Sequence, residues 1–226
     1  MLDLHKKINL SLHKKGNWKK IQEGKNIFLF KGYINNSSIE DIFKTFTNLN
    51  NKTVYDCLKN IDGHFSLIVR TEDYFLAAVD RIRSCPLIWS LDDLELFITD
   101  DSNIINDKYY PKLSQINFDI TKLFAMSGYT IGEHSTYKNI KQINPGGFIW
   151  VDKKDLLIDK YYQWNPWNVE KTKSSISNDL SKLNKKIISK LINSVNDRQI
   201  IIPLSAGMDS RFIASGLKHL NYKNVL

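Results

Sequence analysis

The sequence predicts two folds in tandem: an α+β domain built from antiparallel hairpins over residues 1–165, and the beginning of an α/β domain over residues 174–226, with a linker at 166–173. Three observations carry this. Short apolar runs pair across tight turns between His64 and Thr99, as antiparallel strands do. From Ser174 onward the apolar residues switch to helical spacing. An Ile-rich run, Ile200–Leu204, then meets a small-residue turn and a helix beginning about Asp209, the strand–loop–helix order of α/β proteins.

Taken in order, Ile8–Leu12 alternates apolar and polar residues and reads as a strand, with Gly16-Asn17 as a turn. Asn26–Phe30 is a short apolar strand ending at Gly32. Ile39, Ile42, Phe43 and Phe46 fall at helical spacing behind Ser38, a side chain suited to capping. Val54–Ile61 predicts a second helix, and Asp62-Gly63 a turn. His64–Arg70 and Tyr74–Asp80 form one hairpin about Thr71–Asp73, and Pro86–Ser90 and Leu94–Thr99 another about Asp92-Asp93, in a single antiparallel sheet. Residues 117–127 predict a helix that buries Phe118, Leu123 and Phe124. Asn144-Pro145-Gly146 turns the chain into a closing hairpin, Phe148–Val151 with Leu156–Tyr162. In the second domain Ile176, Leu180, Leu183, Ile187, Leu191 and Val195 mark one face of a long helix, with Lys182, Lys186 and Lys190 turned outward. That helix leads into the buried Ile200 strand, and Asn224–Leu226 begins a second, parallel one, so the α/β domain is expected to be incomplete within this chain.

The chain has 226 residues, 42% of them hydrophobic, and a formal net charge of +8. The hydrophobic share supplies a core, and disorder is not the default reading. The charge sits mainly in lysine pairs such as Lys6-Lys7 and Lys185-Lys186, and arginine occurs only at Arg70, Arg81, Arg83, Arg198 and Arg211. Because arginine is the better reader of bases and phosphates, the pattern describes a solvated face and no nucleic-acid partner is expected. Cys57 and Cys85 are far apart and have no C-x-x-C companion, which fits a reducing cytoplasm rather than a disulfide framework or zinc site. No apolar run approaches the ~20 residues of a membrane span, and no signal-peptide core is present at the N-terminus. A cytoplasmic protein is expected, with no membrane partner and a homodimer left open.

The turn Ser205-Ala206-Gly207-Met208-Asp209-Ser210 has the layout of a phosphate cradle. Backbone N–H groups at a helix N-terminus are unsatisfied and lie at the positive end of the helix dipole, so an anion settles there. Small residues at Ala206 and Gly207 let the backbone come close, and Ser205 and Ser210 add hydroxyls. Asp209 repels an anion directly, so its chemistry points to holding Mg²⁺ against one. The Walker pattern G-x-x-x-x-G-K-[ST] is absent. The alternative is an ordinary strand-to-helix turn with an Asp or Ser cap.

This turn resembles the SGGxDS loop of the ATP pyrophosphatases, the PP-loop group that includes asparagine synthetase and β-lactam synthetase; Ala206 stands where the pattern has its first glycine. Upstream, Gly63-His64-Phe65, Asp80-Arg81 and Pro86-Leu87 resemble the L-x-G-x-F…DrxGxxPLyy stretch of asparagine synthetase-type glutamine amidotransferases, with Arg83 at the glycine between them. Gly128, Gly132, Thr136, Ile140 and Pro145-Gly146 resemble the segment that closes that domain. The resemblance runs in family order over most of residues 26–226.

What the resemblance implies is a four-layer αββα Ntn-hydrolase-like domain followed by the start of a Rossmann-like PP-loop domain of the adenine nucleotide alpha hydrolase-like kind. By the same resemblance, ATP is bound by Leu204, Ser205, Ala206, Gly207, Met208, Asp209 and Ser210, with Asp209 holding Mg²⁺ through the pyrophosphate and Arg211 as a further phosphate partner. A small carboxylate, aspartate or similar, would be adenylated and then aminated by ammonia or an amine. The glutaminase half lacks its parts: Leu2 stands where the nucleophilic Cys belongs, and Lys31 stands where the Asn of the oxyanion segment belongs, in Lys31-Gly32-Tyr33-Ile34-Asn35-Asn36. No catalytic residue is therefore nominated. His5, His13, His64, His134 and His219 are too scattered to suggest a triad, Cys57 and Cys85 read as small buried apolar residues, and Asp100-Asp101 as hairpin polar residues. An asparagine synthetase-like ligase, a β-lactam synthetase-like variant and a non-catalytic remnant that keeps the fold all stay open.

Overall fold

The computed structural model describes residues 7–35, 37–92, 95–101, 115–166 and 172–226. His5, Leu2, Asn36, Asp93, Leu94 and most of the expected linker lie outside the described residues. The chain divides into two compact units, Met1–Trp164 and Asn165–Leu226.

The first unit contains two sheets. Strands β2 (Lys19–Glu23), β3 (Asn26–Ile34), β4 (Gly63–Arg70), β5 (Tyr74–Val79), β9 (Gly147–Asp152) and β10 (Leu156–Lys160) form a six-stranded antiparallel sheet in the order β10-β9-β5-β4-β3-β2. Strands β1 (Ile8–Ser11), β6 (Ile88–Asp92), β7 (Glu95–Thr99) and β8 (Lys141–Gln142) form a second sheet, β1-β7-β6-β8, in which β1 runs parallel to β7. The two hairpins expected in one sheet are thus divided between two. The reason lies in what each strand's alternate faces meet.

Successive side chains of a strand point to opposite faces. Phe65, Leu67, Val69, Tyr74, Leu76, Ala78, Phe148 and Trp150 join one apolar cluster with Ile42 and Phe43 of α1 (Ile39–Thr45) and Val54 and Leu58 of α2 (Thr53–Lys59). Their neighbours Ile68, Phe75, Ala77, Val79, Ile149 and Val151 join another with Ile8, Leu87, Trp89, Leu96 and Ile98 from the second sheet. The central strands are mostly apolar because both faces are covered, and the layers run helix, sheet, sheet. Ser38 caps α1 as expected, its side chain accepting from the Asp41 N–H.

The fourth layer is not formed among the described residues. Helix α3 (Phe118–Ser127) has the expected span and buries no residue. Phe118, Leu123 and Phe124, expected in the core, are 71%, 43% and 44% exposed. The sequence shows apolar residues all round this helix, a pattern that needs cover on every side, and no single buried face results.

The second unit consists of α4 (Lys173–Val195), α5 (Met208–His219) and the segment between them. The segment Ile200–Leu204 is not the buried strand that was expected: it forms one parallel bridge, Ile200 to Val225, and Ile201 and Leu204 are each 68% exposed. Backbone bonds from Ile200 N–H to Asn224, Ile202 N–H to Leu226 and Leu226 N–H to Ile200, all 2.9 Å, set the parallel register. A parallel ladder is normally covered on both faces, and among the described residues this unit buries only Ile188 and Leu217 of its apolar side chains. The stripe Ile176, Leu180, Leu183 and Ile187 on α4 is about half exposed.

Candidate functional site

The loop between Pro203 and α5 is organised by two hydroxyls. The Ser205 N–H donates to Ser210 Oγ and the Gly207 N–H donates to Ser205 Oγ, each at 3.2 Å, and the two hydroxyl oxygens lie 3.3 Å apart. Either hydroxyl can donate to the other. Two loop amides are therefore already used within the loop. Gly207 is the N-cap of α5, with extended backbone (φ −73°, ψ 164°) and no side-chain cap, so the first-turn amides of the helix keep their orphan character. Leu204 through Asp209 are all exposed, Met208 at 81%.

Backbone geometry accounts for the two small residues. Ala206 is not among the residues with positive φ, so alanine serves there as well as glycine would. Gly207 has negative φ, and a Cβ built on it would meet only Ser205 Oγ, at 3.2 Å. The fold itself does not demand glycine at 207. What its missing side chain provides is open space above the loop.

Asp209 lies in the first turn of α5, where a carboxylate favours the helix dipole with or without a ligand. No group of three or more His, Cys, Asp or Glu residues that could hold a metal ion exists among the described residues. A cation at Asp209 would have to arrive with phosphate oxygens completing its shell, which is how Mg²⁺ is usually held in nucleotide sites. Arg211 is exposed one turn along the same helix. A cleft of about 450 Å³ lies between α4 and α5, lined in part by Leu180, Ile188 and Phe212, and none of residues 204–210 contributes to it.

Among the residues that resemble the amidotransferase segments, Asp80 and Gly32 hold local backbone geometry. The Asp80 carboxylate is buried and accepts from the N–H groups of Phe65 (3.1 Å), Ile82 (3.0 Å) and Ser84 (2.8 Å). It ties down the loop that returns the chain to Leu87 in the core. Arg83 in that loop has φ +56°, the left-handed region that glycine occupies at no steric cost. Burial lowers its guanidinium from the ordinary value, and its Nη1 is buried without a hydrogen-bond partner. Gly32 has φ +116°, and a Cβ there would fall 2.0 Å from the His64 carbonyl oxygen, so a close backbone approach to β4 requires glycine.

Lys31 is committed internally. Its ammonium donates to Asp100 Oδ2 at 2.9 Å, and the same carboxylate accepts from Trp18 Nε1 at 2.8 Å and from the His13 N–H at 2.7 Å. The Asp100 side chain is 1% exposed, which corrects the expectation of a hairpin polar residue. Burial works to raise its carboxyl, and the hydrogen bonds from His13, Lys31 and Trp18 outweigh it, so the group titrates below the ordinary range. Sequence reasoning missed this node because its donors lie 69 to 87 residues away.

Neither thiol is activated. Burial raises Cys57, and it raises Cys85 despite the opposing pull of Lys31; both are free and partly exposed rather than fully buried. A raised thiol is a poor nucleophile. His64 packs against Tyr33 in a tilted arrangement with ring centroids 5.1 Å apart, and its Nδ1 lies 2.5 Å from Ser84 Oγ. That hydroxyl also donates to Asp80 Oδ1 at 3.3 Å. The carboxylate therefore faces the serine rather than orienting the imidazole, and no nucleophilic triad results.

No family model matches the chain, and no curated protein matches it. Among solved structures it is similar to the glutamine phosphoribosylpyrophosphate (PRPP) amidotransferase from B. subtilis complexed with ADP and GMP, at 12% identity and a TM-score of 0.39, over 66% of this chain and 32% of that one. It is also similar to a structure described as the allosteric regulatory enzyme of purine biosynthesis, at 14% identity and a TM-score of 0.36, over 66% of this chain and 31% of that one. The chain spans about a third of the length of these proteins. A likeness of this strength fixes neither fold nor activity. Among the described residues no helix is long and apolar enough to cross a membrane.

Proposed function

We propose that the second unit carries the polyphosphate-binding loop of an asparagine synthetase-like, ATP-dependent amidoligase, and that the first unit is an amidotransferase-like domain without glutaminase chemistry. The observation that supports this best is the loop itself: an uncapped helix start, two hydroxyls 3.3 Å apart and a glycine whose missing side chain the fold does not need. Such a site offers N–H and O–H donors to anionic oxygens.

In the proposed reaction a substrate carboxylate attacks the α-phosphorus of ATP, the bond to the β-phosphate breaks, and pyrophosphate leaves. Ammonia or an amine then attacks the acyl-adenylate and AMP departs. Positioning and charge neutralisation do most of the work in such a step. The first-turn amides of α5 and the Ser205 and Ser210 hydroxyls would hold the departing pyrophosphate, and Asp209 would hold the Mg²⁺ that comes with it. Lys31 and Asp100 are locked to each other, which favours free ammonia or an amine over glutamine as nitrogen source.

The low burial of the second unit favours a second reading for this chain, nucleotide binding without turnover. Incubation of the purified chain with MgATP, aspartate and ammonium separates the two. Pyrophosphate release that disappears in Ser210→Ala and Asp209→Asn supports the ligase; binding without release supports the second reading; no MgATP binding contradicts both. Glutamate release from glutamine would contradict the assignment of the first unit.

A further inference from the structure

Arg83 is unfavourable to the fold on two counts. Its backbone lies at φ +56°, a region that a residue with a side chain enters at a cost. Its guanidinium, which stays charged in a protein, is partly buried, and Nη1 is fully buried with no hydrogen-bond partner. Nε and Nη2 make no hydrogen bond or ion pair among the described residues, and unlike Nη1 they keep contact with solvent. Outliers of this kind collect at binding sites.

The charges around Arg83 are already committed. Asp80, three residues earlier in the same loop, accepts from the N–H groups of Phe65, Ile82 and Ser84 and from the Ser84 hydroxyl. Those donors fill the roughly four lone-pair sites of a carboxylate, so none is left for Arg83. The burial that lowers the guanidinium is opposed by no neighbouring carboxylate among the described residues. The other cations nearby have partners. Arg81 donates to the Lys59 carbonyl at 2.8 Å and lies 5.0 Å over the Tyr162 ring, and Lys31 is paired with Asp100 at 2.9 Å.

We propose that Arg83 is the anchor of a carboxylate-binding site on the 80–87 loop, taking a small organic monocarboxylate on its Nε–Nη2 edge. That edge presents two parallel N–H groups, the spacing that two carboxylate oxygens match. A partly buried cation without a counter-charge is costly, and an incoming anion relieves that cost. Charge balance selects the class of ligand. One guanidinium neutralises one carboxylate, whereas a phosphate dianion would bring a second charge to a loop with no other free cation. The site lies wholly within the first unit and is independent of the ligase reading of the 205–210 loop.

Arginine side-chain NMR of the full chain at pH 7 and constant ionic strength tests this, with sodium acetate titrated against sodium chloride and sodium phosphate. The Nε–H resonance of Arg83, identified by its loss in Arg83→Lys, should move saturably with acetate at a dissociation constant on the order of 1–10 mM. Arg81 should stay in place, and phosphate should bind at least roughly 10-fold more weakly. Acetate at roughly ten times its dissociation constant should raise the Tm of the wild-type chain by about 2–5 °C. Arg83→Gly, which suits the backbone and keeps the fold, should lose that rise. An Arg83 resonance that ignores acetate, or answers chloride equally, would overturn the proposal. So would phosphate binding as tightly as acetate, or a Tm rise that survives Arg83→Gly. A resonance that moves with protein concentration alone would assign the guanidinium to a carboxylate of a second copy and would also overturn it.

Discussion

At the scale of single residues, the first unit is held by a few buried polar nodes whose partners are remote in sequence. Asp100 is the clearest. Replacing it with Asn leaves one acceptor oxygen and turns an NH2 donor toward groups that themselves donate, and the variant should lose about 2 kcal/mol at pH 7, the range for hydrogen bonds to a charged group. Because its carboxyl titrates below the ordinary value in the folded chain, its contribution is complete above the unfolded value of roughly pH 4 and fades as pH falls through the folded one. Urea titrations should show the gap between wild type and Asp100→Asn closing in acid, and a gap that widens there would reverse the assigned shift. Arg83 is the opposite case, a residue its own backbone disfavours. Arg83→Gly should raise stability by about 0.5–1 kcal/mol, since φ +56° costs glycine nothing, and a rise in Tm would show it. The resemblance had marked position 83 as a glycine site, but the strain itself is read only from the backbone angle. The role of Asp100 was not visible in the sequence either, because Trp18, Lys31 and His13 reach it only after β1, β3 and β7 have been brought together.

At the scale of elements, alternation and capping made most of the chain legible. Strands with both faces buried, β4, β5 and β9, announce themselves as apolar runs between turns, and Ser38 marks the start of α1. Strand β2 went unseen because Lys19-Lys20-Ile21-Gln22-Glu23 has one apolar residue, and it lies at the edge of its sheet with four of its five residues exposed. The Ile200 segment misled in the other direction: its isoleucines read as core, yet its one ladder partner is Val225. The loop before α5 was legible as a whole, though the use of two of its amides by the serine hydroxyls depends on three-dimensional closure. Gly207 gives this element a direct test. Gly207→Val should leave the far-UV circular dichroism of α5 unchanged, since the added Cβ meets only Ser205 Oγ, while filling the space an anion needs. Loss of helical signal would show that glycine at 207 serves the fold.

At the scale of the whole molecule, the two units differ in how much they bury. In the first, apolar clusters line both faces of the central sheet; in the second, Ile188 and Leu217 carry what core there is among the described residues. Local stability follows buried contacts, so native-state hydrogen exchange should protect amides of residues 65–69, 75–79 and 148–151 most strongly, and those of 200–204 and α5 far less. Equal protection across both units would mean the second is stabilised by something beyond its own packing. The proposed nucleotide chemistry depends on whether the turn after Pro203 accepts a polyphosphate. Backbone amide NMR shifts of the full chain, followed as magnesium pyrophosphate is added, read this directly. Saturable shifts at Ala206, Met208, Asp209 and Ser210 that vanish in Gly207→Val are predicted; amides 205–210 that stay unmoved while the rest of the spectrum remains folded would contradict it.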